Sequence, residues 1–135
     1  MAKTSGIGFA LSVDDASGTL RTLSNDFSSL NFATPRGVQD VTGLDKSAIE
    51  RLLLLADFSI NLSAPAFDTA ANLSHAVFKT VSSTSVNRTT TLALSSQTLS
   101  CETLYSDYQI ARGQDGSLTF TVPGVLADGT VPTWS

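Results

Sequence analysis

Residues 36–63, RGVQDVTGLDKSAIERLLLLADFSINLS, carry three textures in one run: a polar opening, four consecutive leucines, and a strictly alternating end. The end reads most directly. Phe58, Ile60 and Leu62 fall on one side of an extended chain, and Asp57, Ser59, Asn61 and Ser63 on the other. That is the two-residue period of a half-buried strand. Upstream, Thr42-Gly43-Leu44-Asp45 turns the chain, and Asp45 is placed to cap a short helix over residues 46–53. Leu52, Leu53, Leu54 and Leu55 cannot all point one way in a helix or a strand. Such a block either feeds a helix core or becomes buried only in an assembly.

Working outward, alternation recurs. Phe9, Leu11 and Val13 alternate with Ala10, Ser12 and Asp14, and Asp15-Ala16-Ser17-Gly18 supplies the turn into a partner strand over 19–23. Residues 24–35 show no clear period and read as a long loop, which in a compact domain usually has a task. Leu73, Ala76, Val77 and Thr80 or Val81 recur at helical spacing, so a helix is expected over 69–82, capped by Asp68 or Asn72. Strand signals follow at 88–94, 97–104 and 106–112, the last two forming one long strand or two joined by a bulge near Tyr105. Asp115-Gly116 marks a two-residue hairpin into 118–122. Residues 125–135 trail out as a C-terminal extension. The expectation is a single, mainly β domain over residues 1–135, a sandwich or barrel with one helix packed across it.

Composition bounds the rest. A chain of 135 residues buries about two-thirds of its unfolded surface without needing metals or disulfides. Cys101 is the one cysteine, which excludes an internal disulfide and a cysteine-rich metal site. No apolar run reaches the roughly 20 residues of a membrane span, and no signal-peptide core follows Met1, so synthesis in a cytoplasm is expected. The formal charge of −4 argues against a DNA-reading surface. Only 15% of residues are charged, whereas Ser and Thr supply roughly a quarter. A neutral, hydroxyl-rich surface suits a subunit largely covered by neighbours.

Catalytic constellations are thin. Asp14-Asp15 reads as a solvated hairpin corner rather than an acid–base pair. His75 is the one histidine, so a Cys101–His75–Asp107 triad would depend on it alone, and Cys101 sits where a strand wants a small buried side chain. Ser5-Gly6-Ile7-Gly8 lacks the third glycine and following helix of a dinucleotide loop. Tyr105, Tyr108 and Trp134 could form a sugar platform but more often pack a core or an interface. No enzyme, cofactor or metal site is expected.

Several blocks in order resemble a known family: GVQDVTGLDKSAIERLLLLADFSINLS, SHAVF, RTTTLAL and the closing YQIARGQDGSLTFTVPGVLADGTVPTW. Together, over about residues 36–134, they resemble major tail tube proteins of long-tailed phages, most nearly the type of siphophages of actinobacteria. The resemblance implies a tail-tube-like β-sandwich or barrel with one flanking helix and long loops. It implies six-membered rings of the chain itself, stacked into the tail tube of a virion. The lumen would hold the tape-measure protein during assembly and then pass double-stranded DNA without binding it. Tail terminator and distal tail proteins would be further partners, and no membrane is involved. Few cations and a negative charge suit a wall along which phosphates must slide. Asp57 and Glu102 are the candidates to face the lumen. Phe27, Leu30 and Phe32 are candidates for ring-to-ring contacts, and Leu52, Leu53, Leu54, Leu55 and Trp134 for contacts between subunits. A terminator or baseplate ring of the same fold, or an adhesive, carbohydrate-binding β domain, are the alternatives.

Overall fold

A computed structural model describes residues 3–135. Strand β1 (Ala10–Asp14) turns Leu11 and Val13 inward, and β2 (Leu20–Thr22) returns beside it. Asp15 builds the expected turn: its Oδ1 accepts the N–H groups of Ser17 and Thr19, while Gly18 takes a positive φ of 84°.

The next four strands form one long antiparallel ribbon. Strand β3 (Ser29–Ala33) pairs with β6 (Ser59–Ala64), from Ser29 opposite Ser63 to Ala33 opposite Ser59. Past Pro35 the same two runs continue as β4 (Arg36–Asp40) and β5 (Arg51–Ala56), a separate two-stranded sheet. The helix α1 (Ser74–Phe78) follows, then β7 (Arg88–Leu94), β8 (Gln97–Tyr105), β9 (Gln109–Arg112), β10 (Leu118–Leu126) and β11 (Thr133–Trp134).

The main sheet runs β2-β1-β7-β8-β10-β6-β3, with β11 added to β8 and β9 added to β10. It folds on itself at the β8–β10 corner, where only Thr103–Tyr105 meets Gly124–Leu126. Gly124 is required there, because a Cβ would lie 2.8 Å from Thr103 Cγ2 and 2.9 Å from the Tyr105 ring. One layer is then β2-β1-β7-β8-β11 and the other β9-β10-β6-β3. Leu11, Val13, Leu92 and Leu99 of the first join Ile60, Leu62, Phe120 and Val122 of the second, with Phe58 just before β6, in one core. Val77 and Phe78 carry α1 onto that core, with the Phe78 ring 5.2 Å from Tyr105.

Four expectations change. No helix forms over 46–53: residues 51–56 are strand β5, held by pairing with β4. Leucine favours helices, but cross-strand pairing overrides so weak a preference. The loop over 24–35 contains β3, whose Leu30 and Phe32 alternate with Ser29, Asn31 and Ala33. That period was masked by small polar residues without β-branching. The helix shrinks from 69–82 to Ser74–Phe78. Asn72 has φ 65°, which no helix interior accepts, and the Thr/Ser/Val run after Thr80 favours turns. Neither Asp68 nor Asn72 caps it. Asp68 Oδ1 instead accepts the N–H of Ala70, and buried Asp26 accepts the N–H of Ser74 at 2.9 Å from 48 residues away. Finally, residues 125–135 do not trail free: β10 runs to Leu126, and Thr133 and Trp134 pair with Ser100 and Leu99.

The bulge expected near Tyr105 is present. Between the pairs Thr121–Gln109 and Gly124–Tyr105, one run has the three residues 106–108 and the other only Val122 and Pro123. Pro123 lacks the N–H a regular ladder would use there.

Candidate assembly surfaces

The β4–β5 ribbon is an arm with no layer beneath it. Val38 lies opposite Leu53 and Gln39 opposite Leu52, on alternate faces, and a register shift between Arg36 and Val38 leaves Leu54 and Leu55 as a bulge opposite Gly37, on which Leu54 packs. Both faces are open: Leu52, Leu53, Leu54 and Leu55 are 55%, 60%, 43% and 88% exposed. Ile49 and Leu44 toward the tip are exposed as well. Arg36 braces the arm's base, its Nε and Nη2 donating to the Leu54 carbonyl at 2.9 and 2.8 Å. At the tip Asp40 accepts from the Thr42 N–H and hydroxyl, which hold its carboxyl below the usual range. The backbone is thus well bonded and the side chains are not covered. A two-stranded ribbon with apolar residues on both faces is marginal in water, which makes the arm the candidate interaction surface.

The β9-β10-β6-β3 layer presents a different surface. Its outward rows are Ser29–Ser63–Thr121–Gln109, Asn31–Asn61–Pro123 and Ala33–Ser59–Val125. Thr121 donates to Gln109 Oε1 at 3.0 Å. Those rows contain hydroxyls, amides and small apolar groups, and no charge.

The sequence-derived candidates distribute unevenly over these surfaces. Leu52, Leu53, Leu54 and Leu55 come together on the arm. Leu30 and Phe32 lie on the inward side of β3, half-buried against the core, and the Phe27 ring packs edge-on at 5.5 Å to Phe120. Trp134 is half-exposed and 6.0 Å from the Phe32 ring. Asp57 is exposed at the root of the arm, in phase with Ser59 on the uncharged layer, and its own carboxylate accepts the Phe58 N–H. Glu102 lies away from it on β8, half-buried and accepting from the Thr89 hydroxyl. Sequence reasoning missed Ile110, a half-exposed side chain on β9, and Arg88, buried in the core. The alternation of Gln109, Ile110 and Ala111 signalled the first; nothing in the sequence signalled the second.

No protein-family model and no curated protein matches the sequence. Solved structures do. A chain of the tail of an empty gene transfer agent particle, refined with C6 symmetry, superimposes with a TM-score of 0.77 at 14% identity, over 98% of both chains. A chain of the sheath/tube terminator of a PVC extracellular contractile injection system gives 0.68 at 9% identity, over 100% of this chain and 98% of the other. A chain of the anti-feeding prophage baseplate gives 0.64 at 12% identity, over 100% and 97%. The chain has a tail-tube fold.

Within this tail-tube fold the residues considered for catalysis do not converge. His75 Nδ1 is 3.1 Å from the Tyr108 hydroxyl, Asp107 accepts from the Tyr108 N–H and from Gln109 Nε2, and Cys101 Sγ has Thr103 Oγ1 at 3.8 Å. Burial pushes the Cys101 thiol up, so it is a poor nucleophile. Burial also raises both tyrosines, Tyr108 to about 12, and the Tyr105 hydroxyl is tied to Thr90 at 2.6 Å. Neither tyrosine is free to serve as a sugar platform. Arg88 is the other buried polar group of note. Its Nη2 donates to Thr80 Oγ1 at 2.8 Å and its Nη1 to the Asp14 carbonyl at 3.2 Å, tying the segment after α1 to the end of β1. Among the described residues no cluster of metal-ligating side chains occurs, and no helix is long and apolar enough to cross a membrane.

Proposed function

We propose that this protein is a structural subunit of a phage-type tail, assembling with copies of itself into stacked rings that form the tail tube of a virion. The observation that carries the reading is the arm, whose leucines are open on both faces in the single chain. Covering it against neighbouring copies removes that apolar surface from water. The shared fold with a chain of a C6-symmetric tail supports six subunits per ring. In this reading the Leu52–Leu55 block is a seam between protomers, and the half-exposed Trp134 on the body is a further contact. Phe27, Leu30 and Phe32 contribute only the parts of their side chains that the core leaves open.

The role is non-enzymatic. A tube wall for double-stranded DNA and, before it, a tape-measure protein should neither grip phosphates nor trap chain ends. The uncharged outward rows of β9-β10-β6-β3 meet that need, with Asp57 at their edge adding repulsion. Glu102 sits elsewhere and serves as the weaker lumen candidate. Terminator and distal tail proteins would close the two ends of the tube. A ring-capping component is the second reading, because the PVC sheath/tube terminator shares the fold. Negative-stain microscopy of the purified chain at rising concentration separates them. Long uniform tubes support a tube subunit, single rings support a cap, and a persistent monomer opposes both.

A further inference from the structure

Residues 127–135 cover one strand edge and little else. Asp128 accepts the Thr130 N–H and Gly129 takes a positive φ of 77°, so the chain turns after β10. Pro132 then holds it extended into β11. On one side β8 is paired with β7 along Gln97–Thr103. On its other side β10 reaches only Thr103–Tyr105. Among the described residues, the rest of that second edge is met by residues 127–135 alone. The Ala127 N–H donates to the Glu102 carbonyl, and Thr133 lies opposite Ser100. Thr98 and Ser135 exchange both backbone bonds, at 3.0 and 2.9 Å.

Left bare, this edge would be a template for another strand. Its run, Gln97-Thr98-Leu99-Ser100-Cys101-Glu102, contains no proline or lysine, the residues that commonly blunt an edge, and its one charge is at Glu102. Trp134 adds a second cover. It lies opposite the buried Leu99 and so turns inward, with its ring 6.0 Å from Phe32 of the other layer. Phe32 in turn is 6.3 Å from Phe58 in the core. One indole thus bridges the two layers where the core would otherwise open.

The cover is held lightly. None of residues 128–135 is buried, β11 has two residues, and Trp134 is 45% exposed. Segments with so few buried contacts open at small cost while the rest of a domain stays folded.

We propose that residues 127–135 are a displaceable strap that withholds the β8 edge, keeping free copies of the chain from pairing there. The strap acts on the single chain in solution and does not depend on what the chain assembles into. Closing off one adhesive edge narrows the ways in which copies can meet, which is specificity gained by removing a wrong contact.

Cys101 reports on the strap without any substitution. It is half-buried between Ser100 and Glu102, the two positions that Thr133 and Ala127 cover. Trp134→Ala loosens the strap, and a chain ending at Leu126 removes it. Thiol labelling by an aromatic disulfide reagent is timed for the full chain and for Trp134→Ala. Sedimentation velocity, in reducing buffer, follows all three at a concentration where the full chain is monomeric. Trp134→Ala is expected to label about tenfold faster with unchanged far-UV circular dichroism. It and the shortened chain are expected to form irregular oligomers; should the shortened chain lose its fold, the oligomers of Trp134→Ala decide. Labelling of Trp134→Ala at the rate of the full chain would show that the segment is not released. Faster labelling of a chain that stays monomeric would show that the edge needs no cover. Loss of the fold in Trp134→Ala would make the indole part of the core rather than a strap. Each of these three overturns the proposal. The expected results from a chain that makes no tubes would remove the assembly reading above and leave the strap standing.

Discussion

Replacing Leu53 and Leu55 with serine removes the two most exposed leucines of β5 while touching nothing in the core. The two side chains are 60% and 88% exposed in the single chain. Their loss should leave monomer stability within about 0.5 kcal/mol, as for other surface changes. In an assembly the balance differs. Fully burying a leucine contributes about 1.5–3 kcal/mol. Scaled by what is still exposed, the pair is worth about 2–4 kcal/mol per arm contact, or roughly 30- to 700-fold in the association constant. The critical concentration for tube formation, read by sedimentation with microscopy of the pellet, should rise by that factor. Circular dichroism should show an unchanged melting midpoint at concentrations below assembly. A critical concentration that does not move refutes the claim that these leucines are covered by a neighbour. A melting midpoint that drops by several degrees refutes the claim that the arm stands clear of the core.

Arg88 tests how the body tolerates a buried charge whose bonded partners are both neutral oxygens. Desolvation lowers its pKa, so burial opposes its charge. Arg88→Ala should cost about 2–4 kcal/mol through the void it leaves, whereas Arg88→Met, filling similar volume, should stay within about 1 kcal/mol; urea midpoints distinguish them. At the layer corner, Gly124→Ala places a methyl against the Thr103 methyl and the Tyr105 ring, and should destabilise by about 1–3 kcal/mol in the same assay. The tyrosines set the alkaline limit. Because burial raises the pKa of both, their contribution is complete below the ordinary value near 10, and is lost as pH rises through the raised value of about 12 at Tyr108. Phenolate absorbance at pH 11 should stay low in the folded chain and rise on adding denaturant; full ionisation without unfolding would contradict the burial.

Strands were legible wherever a clean period of two met a buried face. The 58–62 alternation and the β1–β2 hairpin appear as read, because one side of each strand must leave water and the turns need residues that accept positive φ. The Asp115-Gly116 hairpin also forms, but its loop is the three residues 114–116, closed by Gly113 and Ser117, rather than two residues. Local signals failed where distant partners decide. Residues 51–56 are a strand only because β4 lies alongside, and β3 is a strand only because β6 offers it a register. The helix lost two-thirds of its expected length because Asn72 turns left-handed, and its first N–H is satisfied by Asp26 from another part of the chain.

The same division holds for the surfaces that matter. The amino-acid order alone determined that four adjacent leucines could not share one face, since neither the helical nor the extended period allows it. It also determined that a chain so poor in charge would be well suited to neighbours. Only the tertiary structure decided that all four leucines stand outside the core, because the ribbon runs past the end of the layer that could have covered them. It alone decided that β9 and β3 become opposite edges of one four-stranded layer, since a strand's neighbours are chosen by the packing of the whole sheet and not by its own residues.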